Sequence, residues 1–259
     1  MKEPVVTQRA MTVTGPRSLT HTLAWAGDGA AHLRGLMTRM GDDAFAAPSA
    51  LPGWSRAHVL THIARNADAM VNLFTWARTG EPTPMYPSAE HRVAGIEAGA
   101  TRPPDVVRAD AIASSARLLA AADELAAEAW DATVRTGRGR RITAAEVPWL
   151  RIRESWVHTV DLAAGASFAD LPPSLVDALL DDVVADLAAA TSDGDVEPLR
   201  LVDTTTDRTL SLGTATAADP TEVRGPAPDL LGWLTGRTTG ATLQATTPTG
   251  HPPPPPRGF

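Results

Sequence analysis

Cysteine is absent from the whole 259-residue chain, which excludes disulfide staples and thiolate metal ligands. If a site on this chain works on sulfur chemistry, the sulfur must arrive on another molecule. Lysine is nearly absent too: of 23 basic residues only Lys2 is not an arginine. With abundant alanine, that skew fits a GC-rich coding genome better than any functional demand. There is no basic surplus, since the net charge is −7 and the pI about 5.5, so a nucleic-acid partner is not expected. No stretch approaches the roughly 18–20 unbroken apolar residues of a membrane span. Met1 to Gly15 shows no apolar run of the signal-peptide type. The cytoplasm is the expected compartment, with no membrane partner.

The 43% apolar and 20% charged residues are ordinary for a globular chain. The length suits one large domain or two modest ones. A first helix is expected over Ser18–Met40, anchored by Leu19, Leu23, Leu33, Leu36 and Met40. Gly27-Asp28-Gly29 in its middle weighs against it by about 1 kcal/mol per glycine relative to alanine. A second helix runs from a Ser55 cap to a terminating Gly80, with Val59, Ile63, Met70, Phe74 and Ala77 as its apolar stripe. His58, His62 and Asn66 form a polar line beside that stripe.

After a Pro-studded loop, Glu81–Ser88, a third helix is expected over about Pro104–Trp130. A basic turn, Thr136–Arg141, leads to a fourth, opened by a Thr143/Glu146 capping box and settling after Pro148. These four make an up-and-down bundle, whose sites lie between facing helices.

The character changes near 165–173. A helix is expected over Ser174–Thr191, then strands at Pro198–Val202, Arg208–Leu212 and Thr221–Arg224. A helix at Asp229–Gly236 and a strand at Ala241–Thr246 complete the pattern. The fold class is therefore α+β, a four-helix bundle over 1–168 followed by a small α+β module over 169–259. The tail from Thr247, with five consecutive prolines, is expected to be extended polyproline II.

Glu154 and His158 stand four positions apart and share a helix face. One histidine from the second helix completes a nitrogen/oxygen tripod of the kind zinc accepts with a position left open. His58 and His62 both qualify by spacing. An imidazole ligand needs its other nitrogen tied to an acceptor, for which Asp161 and Asn66 are the candidates. Without further context, a surface ion pair and a packed histidine explain the same residues.

Three strings decide more. Leu51 to Asn66 (LPGWSRAHVLTHIARN), Asn72 to Tyr86 (NLFTWARTGEPTPMY) and Arg153 to Leu162 (RESWVHTVDL) together resemble the DinB-like, mycothiol-dependent maleylpyruvate isomerases. The resemblance covers nearly the full chain, through Leu234 to Gly240 (LTGRTTG) and the Pro-rich ending before Arg257. It leaves the stretch before Ser18 without a counterpart, with Met11 as an alternative start. The resemblance implies a DinB-like bundle joined to a sterol-carrier-protein-like module. It also implies a zinc held by His62, Glu154 and His158, and mycothiol as thiol cofactor. The reaction it implies is isomerisation of maleylpyruvate, a small enedioic acid, to fumarylpyruvate in gentisate breakdown, by reversible thiolate addition to the double bond.

It further implies an active-site arginine in the C-terminal module, matched by Arg237, whose bland role would be to complement a helix dipole. Arg65, Arg78, Arg151 and Arg153 are expected to be surface or supporting charges. Trp54, Trp76 and Tyr86 are expected to be core residues or pocket walls. The alternatives are a mycothiol S-transferase with the same ligands, and a non-catalytic thiol- or metal-binding module.

Overall fold

The computed structural model describes residues 17–190, 197–213 and 220–255. The start at Met11, the helix end at Thr191 and Arg257 lie outside them. Helix α1 (Leu19–Arg39) opens on Ser18, whose hydroxyl accepts the His21 amide, and runs unbroken through Gly27-Asp28-Gly29. Gly29 is there for close approach. A Cβ at that position would stand 2.8 Å from both Ser155 Oγ and Trp156 Nε1, so the propensity cost is repaid in packing. The Trp156 indole donates to Trp25 O at 2.9 Å across the same contact.

Helix α2 (Arg56–Thr79) has the expected Ser55 cap and a left-handed Gly80 at its C-terminus. The His62–Asn66 line is buried along with the apolar stripe, so α2 is the central helix of the bundle. Helix α3 (Ala89–Ala100), capped by Ser88, was not expected from the pattern. It buries only Ile96 and Gly99, too few positions for an apolar period, and Gly99 lets it lie directly on Thr61 of α2.

Helix α4 (Pro104–Asp123) begins at the expected proline but ends short of Trp130. A 3₁₀ turn, Ala127–Asp131, instead folds Trp130 edge-on against Phe74 at 5.5 Å. The basic stretch is the loop of a hairpin, β1 (Thr133–Arg135) with β2 (Arg141–Thr143), turning at a left-handed Gly139. Strands of three residues are too short to show a period.

The fourth bundle helix is composite. The Thr143/Glu146 capping box forms as expected. It is followed by α5 (Val147–Ile152), one π turn over Arg153–Val157, and α6 (His158–Asp161).

Helix α7 (Pro173–Ala190) starts one residue before the expected Ser174 cap, because proline is preorganised for a first helical turn. The sheet orders its strands β4-β3-β5-β6, with β3 (Leu199–Asp203), β4 (Thr209–Leu212), β5 (Thr221–Gly225) and β6 (Gln244–Ala245). β3 and β5 are parallel with Leu201 opposite Val223; the other pairs are antiparallel. Helix α8 (Ala227–Leu234) starts two residues before the expected Asp229, and the Asp203 carboxylate accepts the Ala227 amide at 3.1 Å. The Pro-rich tail lies on this module: buried Trp233 donates its indole N–H to Pro253 O at 3.1 Å.

One hydrophobic cluster crosses from bundle to module, joining Trp25, Ile152 and Trp156 to Leu175, Leu179, Leu230 and Trp233. Arg153 reinforces the seam by pairing with Asp182 at 3.0 Å and Asp186 at 2.7 Å on α7. That packing carries the C-terminal module's Arg237 to the end of α6.

Candidate metal centre

His62 sits in the second turn of α2, where the helix is buried almost all round, and its imidazole meets the composite helix. Glu154 lies inside the π turn and His158 directly after it. A π turn is wider than an α turn and recurs at functional sites; here it sets Glu154 and His158 on one inward face. His62 Nε2 is 2.8 Å from Glu154 Oε2 and 3.2 Å from His158 Nε2. Glu154 Oε2 to His158 Nε2 is 3.4 Å. Among the described residues this is the one group of three His, Asp or Glu side chains whose donor atoms converge, all within 4.8 Å of one another.

Of the two histidines that spacing left equal, only His62 reaches the cluster. His58 is spent on helix capping: its Nδ1 accepts from the Ser55 backbone N–H at 3.2 Å, completing a capping box, and lies 2.7 Å from Ser55 Oγ, while its Nε2 faces Glu97 at 3.4 Å. Of the two possible acceptors, Asp161 bonds the outer nitrogen of His158, Nδ1 to Oδ2, at 2.8 Å. Asn66 turns away and accepts from Arg151 at 3.2 Å.

Asp161 is fully buried and shared. Arg237 donates to its two oxygens from Nε and Nη2, each at 3.2 Å, and from Nη1 to Thr235 O at 2.7 Å. A chain Arg237–Asp161–His158 thus links the C-terminal module to the donor cluster.

The charges of the cluster support one another. Burial pushes the Glu154 carboxyl up, but hydrogen bonds from His158 and His62 hold it well below the usual carboxylate range. Burial pulls His158 down, but the Asp161 and Glu154 carboxylates raise it to about 9 in the metal-free site. Burial lowers His62, against the pull of Glu154. Asp161 is held low by His158 and Arg237 despite the upward push of burial.

Arg151 is not the surface charge that was one of its expected roles. It is buried beneath the site, its guanidinium donating to Ile63 O, Asn66 Oδ1 and Ser115 Oγ at 2.9–3.2 Å. Burial lowers it to about 10, and Glu154 is the chief opposing charge. Arg65 pairs with Asp68 and Asp110, and Arg78 is exposed. Trp54 meets His62 edge-on at 5.6 Å and so walls the site. Trp76 packs in a separate part of the core.

Arg92 at the start of α3, which the sequence pattern did not mark, places Nη2 3.3 Å from His62 Nδ1. It also lies 5.9 Å from the centre of the Tyr86 ring. No local signal pointed to it, since its helix carried no readable period.

A helical bundle that gathers a histidine–carboxylate cluster between its helices, braced by an α+β module, defines a two-part enzyme class with its chemistry inside the bundle. Residues 26–163 match the family model of the mycothiol maleylpyruvate isomerase N-terminal domain, and residues 170–257 match the MDMPI C-terminal domain. The chain belongs to the mycothiol maleylpyruvate isomerase family and is an enzyme of the isomerase class. A crystal structure of a mycothiol-dependent maleylpyruvate isomerase is similar with a TM-score of 0.81 at 34% identity, over 92% of this chain and 96% of that one. The structure of a histidine-to-alanine mutant of such an isomerase matches equally, with a TM-score of 0.81 at 33% identity and the same coverage. No curated protein matches the chain.

Proposed function

We propose that this chain is a zinc- and mycothiol-dependent cis–trans isomerase that converts maleylpyruvate to fumarylpyruvate, the isomerisation of gentisate-type aromatic degradation. The observation that carries the reading is the convergence of His62 with Glu154 and His158, which lie 92 and 96 residues further along the sequence. Two imidazole nitrogens and one carboxylate oxygen are a donor set suited to a catalytic zinc. Their separations of 2.8, 3.2 and 3.4 Å approach the roughly 3.3–3.6 Å expected of ligands sharing one tetrahedral zinc. The Asp161 bond on His158 Nδ1 leaves Nε2 as the coordinating atom, as an ordered imidazole ligand requires.

When bound, zinc supplies the charge that keeps a thiol as thiolate, and mycothiol supplies that thiol as a reversible nucleophile toward the cis double bond. The protein's own groups hold and orient. His62, Glu154 and His158 present three donors, and the Glu154 and His158 side chains stay 31% and 18% exposed, which leaves the cluster reachable from outside. Asp161 fixes the tautomer and the plane of His158. Arg237 locks Asp161 and brings a permanent positive charge beside the cluster, suited to the substrate's oxygens. Trp54 and the surrounding buried helices keep bulk water from His62.

The test is direct. Protein loaded with zinc, with mycothiol added, should convert the cis acid to the trans acid, followed by chromatography. Glu154→Ala should lose zinc and turnover together while remaining folded. Accumulation of a stable thiol adduct without the trans product would replace the isomerase reading with the transferase one. Retention of both zinc and turnover by Glu154→Ala would remove the tripod from the mechanism.

A further inference from the structure

We infer that Arg92 is a substrate-binding residue that takes a carboxylate of the enedioic acid beside the His62 edge of the cluster; this rests on the function proposed above. Arg92 is half-buried, in the first turn of α3, and its guanidinium faces His62 Nδ1 at 3.3 Å. Among the described residues no Asp or Glu lies within ion-pair reach of it. By contrast Arg65, Arg102, Arg108, Arg117, Arg153, Arg208 and Arg237 are each matched by a carboxylate. A half-buried cation without a counter-ion, aimed at a site, is arranged for an anion that arrives from outside.

Arg92 also has the wrong chemistry to be a support for His62. A guanidinium only donates. An imidazole that offers Nε2 to a metal carries its proton on Nδ1 and so needs an acceptor there. His158 has that acceptor in Asp161; His62 faces a second donor. With the tripod engaged, Arg92 and His62 Nδ1 become two donors side by side, and one carboxylate oxygen within reach of both satisfies them together.

Charge balance points the same way. The substrate class brings two carboxylates, and Arg237, whose charge Asp161 already shares, can meet at most one of them. The Tyr86 ring, 5.9 Å from the Arg92 guanidinium, gives that cation a flat neighbour that limits where it can swing.

The experiment titrates maleate, a cis-dicarboxylate that lacks the substrate's two keto groups, into zinc-loaded protein by calorimetry. Wild type, Arg92→Met and Arg92→Lys are compared, with zinc content measured for each. Loss of a charge-assisted contact should weaken maleate binding by about 10–100-fold in Arg92→Met, with full zinc occupancy. Arg92→Lys should recover part of the loss. In turnover, KM should rise by a similar factor while kcat changes little. Maleate binding by Arg92→Met within threefold of wild type would overturn the inference, and so would loss of zinc from that variant, which would make Arg92 a support of the tripod. Equal weakening in Arg92→Lys and Arg92→Met alongside a lowered melting temperature in both would reduce the effect to packing, which also overturns it. Because maleate titration needs no turnover, a wild-type protein that binds zinc but fails to isomerise would sink only the proposed function.

Discussion

Asp161→Asn is the sharpest single perturbation this structure offers. The carboxylate is fully buried and accepts on both sides, from His158 Nδ1 at 2.8 Å and from Arg237 through two bonds of 3.2 Å. An amide keeps the shape but has one acceptor and one donor. Its NH₂ must therefore replace one of two oxygens that each accept from a donor. Oδ2 takes both His158 Nδ1 and Arg237 Nη2, and Oδ1 takes Arg237 Nε, so an NH₂ at the first position loses the His158 tautomer and one at the second is set against the guanidinium. Loss of such an outer carboxylate typically costs about 10–100-fold in metal affinity, or roughly 1.4–2.8 kcal/mol.

The metal-free protein should also lose about 1.5–3 kcal/mol, the value of hydrogen bonds to charged groups. The cost stays below that of breaking a fully buried pair, because the Arg237 side chain is 17% exposed and keeps its bond to Thr235 O. At about 2–4 °C per kcal/mol for a chain near this size, the melting temperature should fall by about 3–12 °C. Zinc affinity is read by competition with a coloured chelator, and stability by melting the chelator-stripped protein. A variant that melts lower but binds zinc as wild type does would show Asp161 to be only a structural bridge between the domains.

His58→Ala should retain full zinc while losing about 1 kcal/mol of stability as its capping box goes; metal loss there would reverse the assignment of the α2 ligand. Gly29→Ala places a Cβ 2.8 Å from Ser155 Oγ and Trp156 Nε1, and should cost about 1–3 kcal/mol in chemical denaturation with weakened zinc binding through the displaced π turn. His158, at about 9 in the metal-free site, holds a proton at neutral pH that zinc must displace. Apparent zinc affinity should therefore rise about tenfold per pH unit from 6 and level off near 9; a flat profile between 6 and 8 would contradict this.

Asp203 is buried; burial pushes its carboxyl up, but bonds from Thr206, Thr205 and the Ala227 amide hold it below the ordinary value. With the folded value depressed, its contribution is complete above the unfolded pKa of about 3.9 and is lost as pH falls through the folded one. Urea unfolding of wild type and Asp203→Asn should differ most above about pH 5 and converge towards pH 2–3. A gap that persists at low pH would refute the assignment.

The helices with strong caps and apolar stripes were legible because their signals are local. Ser18, Ser55 with Gly80, Thr143 with Glu146, and Pro104 each mark an end through the chain's own hydrogen-bonding needs. Helix α3 and the β1–β2 hairpin were not, since elements with few buried positions carry almost no period. The glycines of α1 read as helix breakers until Ser155 and Trp156 were seen against Gly29. A close approach belongs to two segments and is written in neither alone.

The sequence by itself determined the building blocks: an acidic, cysteine-free chain, a mostly helical front, a strand-bearing rear, and Glu154 and His158 on a shared helix face. Spacing left His58 and His62 equal and only the resemblance favoured His62; the tertiary structure supplies the physical reason, because a capping role for His58 and a buried position for His62 follow from where α2 is packed. It also placed Asp161 behind His158, Arg237 behind Asp161, and Arg92 at the far edge. Helical spacing relates residues only along one axis, whereas a donor cluster requires separate axes to meet within a few ångströms, and that distance is set by packing.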